Sequence, residues 1–249
     1  NGFTPLFYTI IENNIEAVNI LLKYESSLLV YDNDNKNIFD KAFEYKRQYI
    51  IKILIDSIDN INILNGSGKN LLQLALDYNN FEIFNILINK NININNQGRE
   101  NGLTSLHHAI VINNEDLYMK LINKKDINVN ILDFNGNSPL HYAILEKNMN
   151  LINYILNNFD IEYKISDIYG NTLLHSYLDQ NFRLNNDLST DKKFQNLLTL
   201  IENSNLNTPN NNNLTCLHLL VENYLWDNEI IFEKLKKKIL NIFISDFNN

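Results

Sequence analysis

The sequence predicts an all-α fold, an α-solenoid of stacked helix-turn-helix repeats with projecting turns. Two observations predict it. A leucine-type anchor returns as Leu6, Phe39, Leu72, Leu106, Leu140, Leu174 and Leu217, at steps of 33, 33, 34, 34, 34 and 43 residues. The text around three anchors is nearly the same: Thr104-Ser105-Leu106-His107-His108-Ala109, Ser138-Pro139-Leu140-His141-Tyr142-Ala143 and Thr172-Leu173-Leu174-His175-Ser176-Tyr177. A period of roughly 20–50 residues marks a stacked array, in which each unit packs only on its neighbours.

The stretch from Asp133 to Glu162 shows how one unit is built. Asp133-Phe134-Asn135-Gly136-Asn137 is a turn, with Gly136 free to take a positive φ. Ser138-Pro139 reads as a helix start, Ser at the N-cap and Pro at the first helical position. Leu140, Ala143 and Ile144 share one face, and Lys147-Asn148 should end the helix. Leu151, Ile152, Ile155 and Leu156 then give a second stripe of helical period. Applied along the whole chain, the reading predicts one array of seven units near 1–31, 32–64, 65–98, 99–132, 133–166, 167–209 and 210–249. The second-helix pattern of the sixth unit (Phe194, Leu197, Leu198, Ile201) arrives late, which places an insertion near 183–193. The amphipathic tail from Phe232 to Ile244 falls in register with the seventh unit's second helix, a core helix with a solvated lysine face.

The totals narrow the function. A net charge of -8 and a pI near 5.1 argue against nucleic acid and against an anionic membrane surface. No apolar run is long enough to insert into a bilayer, and the single cysteine, Cys216, fits a reducing compartment, so an intracellular, cytoplasmic location is expected. Asparagine makes up roughly a fifth of the chain, alternating with spaced apolar residues. This reads as codon bias over a folded pattern, and only Asn207 to Asn213 resembles true low complexity.

Candidate chemistry is sparse. His107, His141, His175 and His218 recur at one place in four units, but equivalent positions in stacked helices lie about 8–10 Å apart. Two imidazoles that far apart cannot share a zinc ion at about 2 Å each. Asn65-Gly66-Ser67-Gly68-Lys69-Asn70 lacks the spacing and the Ser or Thr of a phosphate loop. Cys216 stands at a helix start in the place of the motif proline and reads as a buried hydrophobe. No catalytic residue, cofactor or metal is expected.

The unit resembles the ankyrin repeat, whose hallmark is Thr-Pro-Leu-His-x-Ala at a period near 33 residues. Thr4-Pro5-Leu6 and Ser138-Pro139-Leu140-His141-Tyr142-Ala143 match it best. The second and third copies depart, with Asp40 and Gln73 where the histidine belongs. The resemblance implies that the recurrent histidines are structural and hydrogen-bond neighbouring loops. It also implies a monomeric scaffold that binds a partner on a concave side, made of turn tips and the exposed flank of each first helix. That flank lies five and six residues past each anchor: Ile11-Glu12, Glu44-Tyr45, Asp77-Tyr78, Val111-Ile112, Leu145-Glu146, Asp179-Gln180 and Glu222-Asn223. Six of these seven pairs hold a carboxylate, and the lysines are read as lying elsewhere, on second helices and loops. The acidic ladder predicts a basic protein or peptide partner. Val111, Ile112 and Leu103, with Phe134 and Tyr169 of the turns, predict an apolar and aromatic centre within it, and Asn135 and Ile168 of the same turns are expected to touch the partner as well. The alternative is a targeting module of a larger enzyme or channel, and a passive spacer is a weaker third reading. The chain opens inside a turn at Asn1-Gly2-Phe3-Thr4 and closes on Asp246-Phe247-Asn248-Asn249, a copy of a turn start. An excerpt of a longer array is therefore expected.

Overall fold

The computed structural model describes residues 2–24, 28, 30–182 and 191–247, with side chains through residue 239. These residues form two compact units, Asn1–Asn128 and Val129–Asn249. Both are stacks of helix pairs, the all-α repeat solenoid that the sequence predicts. Among the described residues the only strand-like pairings are isolated bridges, such as Ser166 with Thr172.

The first unit contains α1 (Pro5–Ile11), α2 (Ile15–Leu21), α3 (Ile38–Glu44), α4 (Gln48–Asp56), α5 (Leu71–Asp77), α6 (Phe81–Leu87), α7 (Ser105–Val111) and α8 (Glu115–Ile122). First helices stack on first helices (α1 on α3, α3 on α5, α5 on α7), and α4 packs on α2 and α6. The second unit contains α9 (Pro139–Leu145), α10 (Met149–Asn158), α11 (Leu173–Phe182), α12 (Asp191–Asn203), α13 (Cys216–Glu222), a 3-10 turn (Leu225–Asp227) and α14 (Glu229–Phe247). There α11 lies between α9 and α13, and α12 between α10 and α14. The anchors from Leu6 to Leu174 are fully buried, each contributing about 1.5–3 kcal/mol relative to exposure.

Most first helices are only seven residues long, too short to persist alone, so their ends are defined by side chains. At the start, a Thr, Ser or Asn cap is paired with the side chain three residues on. At the end, Asn13, Lys46, Asn79, Asn113 and Lys147 take φ between 53° and 58°, the left-handed conformation that stops a helix. Except after Lys46, where Arg47 stands, the next residue is an asparagine that caps the second helix, as where Asn148 Oδ1 accepts the Leu151 N–H at 3.0 Å. Gly136 has φ +79°, and a Cβ there would lie 2.7 Å from the Ser166 carbonyl oxygen.

Asparagine also joins neighbouring repeats. Asn62 donates to the Asn91 carbonyl at 3.1 Å and accepts the Asn93 N–H at 2.6 Å. Asn95 makes the same two bonds with Asp126 and Asn128, and Asn130 with Asp160 and Glu162. Each of these side-chain amides acts as a peptide group against the next loop. The abundance of asparagine thus has structural uses that a codon-bias reading misses.

Two places differ from the periodic expectation. Among the described residues of the sixth repeat none takes a left-handed stop, and α11 runs on to Phe182. Tyr177 stands where alanine is usual, its ring 6.1 Å from Phe182 and its hydroxyl donating to the Lys193 carbonyl at 2.8 Å. Of the expected insertion, 183–190 lie outside the described residues, whereas Asp191 to Lys193 form the first turn of α12 rather than a loop. In the seventh repeat the left-handed residue is Tyr224, and the 3-10 turn delays the second helix. The tail helix α14 buries Ile231 and Leu235, exposes Lys236 and Lys237, and uses Lys238 to cap the Ile201 and Glu202 carbonyls at 2.7 and 2.8 Å.

Candidate protein-binding flank

After six of the seven anchors the next residue clamps the helix start, and at Asp40, Gln73 and His175 it also bonds to the next turn. The Nδ1 atoms of His107, His141, His175 and His218 accept the N-cap N–H of Thr104, Ser138, Thr172 and Thr215 at 3.0–3.2 Å. An accepting Nδ1 leaves the proton on Nε2, and His175 Nε2 donates it to the Leu214 carbonyl of the next turn at 3.1 Å. Burial holds the His175 pKa below its ordinary value, which keeps the ring neutral. Gln73 performs both tasks with an amide: Oε1 accepts the Asn70 N–H at 3.0 Å, and Nε2 donates to the Leu103 carbonyl at 2.8 Å. Asp40 accepts the Asn37 N–H at 2.8 Å and the side-chain amide of Asn65 at 2.7 Å. The departures from the motif at Asp40 and Gln73 therefore conserve the geometry. Cys216 is fully buried 3.2 Å from His175 Nδ1, and burial pushes its thiol up to about 12, which leaves it uncharged and unreactive.

The clamps fix each turn relative to the flank. In the first unit Glu44 ends α3, and Tyr45 follows with the Arg47 guanidinium 5.7 Å from its ring centre. Asp77 ends α5, and Tyr78 stacks on Phe43 at 5.9 Å. Val111 is exposed at the end of α7, next to half-buried Ile112. In the second unit Glu146 caps α9 in solvent, while Asp179 lies half-buried within the longer α11. Phe134, Ile168 and Tyr169 are exposed at turn tips, the last 64% so. These tips are joined by backbone bonds, Ile168 N–H to the Asn135 carbonyl at 2.8 Å and Asn211 N–H to the Tyr169 carbonyl at 2.9 Å. Of the expected apolar centre, Leu103, Val111 and Ile112 belong to the first unit and the turn residues to the second.

The structure corrects the expectation that the lysines lie away from the acidic ladder. Lys36 Nζ sits 3.0 Å from Glu44, and Lys69 Nζ sits 2.8 Å from Asp77. Each lysine stands three residues before its anchor and each carboxylate five residues after, so the −3 and +5 positions face one another. Lys41 and Glu100 extend these pairs at 3.6 and 3.5 Å, and His108 Nδ1 lies 3.1 Å from Asp77. Burial pushes the Asp77 carboxyl up, but the bonds and charges of His108 and Lys69 outweigh it, and its pKa falls below the ordinary value. The hollow beside these pairs, about 420 Å³, contains Lys36 and Lys69 themselves.

The second unit fills the same positions differently. A cleft of about 550 Å³ is lined by all three of its +5 residues, Leu145, Asp179 and Glu222, with Gln180 and Asn223 beside them. All three −3 residues line it too, and these are Asn137, Asn171 and Leu214. Tyr169 and Asp167 come from the turn tips, and among the described residues no lysine or arginine lines the cleft. Sequence reasoning found the +5 flank but missed the −3 position, although a constant spacing of eight residues from Lys36 to Glu44 and from Lys69 to Asp77 would have signalled it. Among the described residues, no three or more His, Cys, Asp or Glu are grouped to hold a metal ion. No described helix is long and apolar enough to cross a membrane.

Comparison with known proteins agrees with this architecture. A family model described as ankyrin repeats (3 copies) matches residues 42–133 and 71–167, which together span just over half of the chain. Among solved structures the chain is similar to the ankyrin repeat domain of Bcl-3, a unique member of the IkappaB protein family. The TM-score is 0.63 at 18% identity, over 88% of this chain and 94% of that one, a likeness of fold alone. No curated protein matches the chain. With the family model, the recurring anchor and the clamped helix pairs in agreement, the chain belongs to the ankyrin repeat family.

Proposed function

We propose that the chain captures a basic, extended segment of a partner protein in the cleft of its second unit. Ankyrin repeats mediate protein–protein interaction and are typically non-catalytic modules. The observation that carries the finer reading is the exchange at the −3 position. Where Lys36 and Lys69 neutralise Glu44 and Asp77 from within, the second unit has Asn171 and Leu214 at the −3 position, and Leu214 puts no lysine opposite the exposed Glu222. Acidic residues gathered along a cleft focus a negative potential, which speeds the encounter with a positive partner and selects for it. Leu145 in the cleft and Tyr169 at its rim offer apolar contacts for an anchor side chain.

A capture experiment tests the proposal. An immobilised lysine-rich peptide with one leucine should retain the wild-type chain, and Asp179→Lys with Glu222→Lys should abolish retention. Glu44→Gln with Asp77→Asn should change it little, because those carboxylates are already paired. Undiminished capture by the Asp179→Lys, Glu222→Lys variant would sink the proposal.

A further inference from the structure

We infer that the chain associates with itself head to tail, the back face of its seventh repeat receiving the first repeat of a second copy. Three positions of α13 show that this back face is open. The residue four past the anchor is at most 1% exposed in six repeats (Ile10, Phe43, Leu76, Ile110, Ile144 and Leu178), whereas Val221 is 58% exposed. Leu217 is the one anchor that is only half-buried, and His218 is exposed where His107, His141 and His175 are buried. His218 Nδ1 accepts the Thr215 N–H at 3.1 Å, which leaves the proton on Nε2, and no described residue accepts it. On α14, Phe232 is exposed one helical turn from exposed Lys236. An array ends stably on a polar outer face, and Leu217, Val221 and Phe232 do not make one.

The chain's own first repeat is the complementary surface. Internal junctions show which positions reach back to the preceding repeat. They lie two, fourteen and eighteen residues past the anchor, as where His108 meets Asp77 at 3.1 Å, Lys120 meets Asn85 at 2.8 Å and Lys90 meets Asp56 at 3.4 Å. The first repeat has Tyr8, Ile20 and Tyr24 at these positions, and all three are exposed. The same template sets the register. Gln73 and His175 donate to the carbonyl three residues before the next anchor, at Leu103 and Leu214. His218 Nε2 therefore meets the Phe3 carbonyl of the second copy. Charge agrees with this register. Glu82, ten residues past its anchor, pairs with Lys52 of the preceding repeat, and exposed Glu16 has that place in the first repeat. In the second copy it faces the exposed lysines of α14, Lys236 and Lys237. Burial of the apolar groups drives the contact, and the polar pairs fix its orientation. Front and back differ, so the contact is heterologous and a dimer leaves one face of each kind open.

Sedimentation velocity on the whole chain tests this. A single repeat junction is a small interface, so a Kd on the order of 10 μM is expected, with the wild-type mass rising past the dimer above it. Val221→Lys closes the back face and Ile20→Lys the front, both at exposed side chains, so circular dichroism should be unchanged. Each variant alone should stay monomeric. Mixed, the two should form a one-to-one pair and nothing larger, because one good face of each kind remains. A wild-type chain that stays monomeric well above that concentration overturns the inference and leaves the face to a further repeat of the same protein or to another partner. Assembly of either variant alone, or a mixture that stays monomeric, overturns it too.

Discussion

The clamp after each anchor can be broken and restored at Gln73. Its side chain is almost fully buried and makes four bonds across two repeats. Oε1 accepts from Asn70 N and Asn96 Nδ2 at 3.0 and 2.6 Å, and Nε2 donates to the Leu103 and Asn96 carbonyls at 2.8 and 3.1 Å. Gln73→Leu removes all four. The Asn96 and Leu103 groups are partly exposed and can turn to water, at about 0.5–1 kcal/mol each. The Asn70 N–H is buried and loses its partner, at about 1–3 kcal/mol. Leucine returns about 1 kcal/mol of apolar burial, so a net loss of about 3 kcal/mol is expected. Gln73→His should cost less than about 1 kcal/mol, because His175 makes the equivalent pair of bonds, to Thr172 N at 3.2 Å and to the Leu214 carbonyl at 3.1 Å. Urea unfolding followed by far-UV circular dichroism measures both variants, with an unchanged slope confirming that the same surface unfolds. A loss below about 1 kcal/mol for leucine, or histidine as costly as leucine, would refute the two-ended clamp.

Two further predictions concern the charged flank. Asp77 titrates below its ordinary value when folded, so its stabilising contribution is complete above pH 3.8 and is lost as pH falls through the lower folded value. Asp77→Asn should therefore flatten the acid limb of a plot of melting temperature against pH, and an unchanged limb would contradict the assignment. Removing the internal cations should open the first unit to the partner. Lys36→Met with Lys69→Met is expected to raise affinity for the lysine-rich capture peptide about threefold, and unchanged or weaker binding in anisotropy would show that these lysines do not hold the first unit's carboxylates back from a partner.

The fold was legible because its determinants are local. An N-cap such as Thr104, a core anchor such as Leu106 and a stop such as Asn113 lie within ten residues of one another, each with a known backbone preference. The +5 flank was legible for the same reason, by counting along a helix. The lysines facing it were not, since the eight-residue step from Lys69 to Asp77 crosses a helix start and obeys no helical period. The uses of Asn62 and Asn95 were also hidden, because their partners are backbone groups of the next repeat, about 30 residues away. The run-on of α11 depends on the pairing of Tyr177 with Phe182 and Lys193, which is a matter of tertiary packing. A tyrosine at a left-handed stop, Tyr224, goes against propensity and gives no local signal.

The asparagine bridges have a consequence for behaviour in different ionic media. Bonds such as those of Asn95 and Asn130 to the next loop join neutral amides to neutral peptide groups, and dissolved ions barely weaken them. Attraction between a cationic ligand and exposed carboxylates is screened over about 10 Å at 0.1 M salt. Raising the ionic strength should thus release a bound segment while the joints between repeats stay closed, so that grip and rigidity answer to different variables.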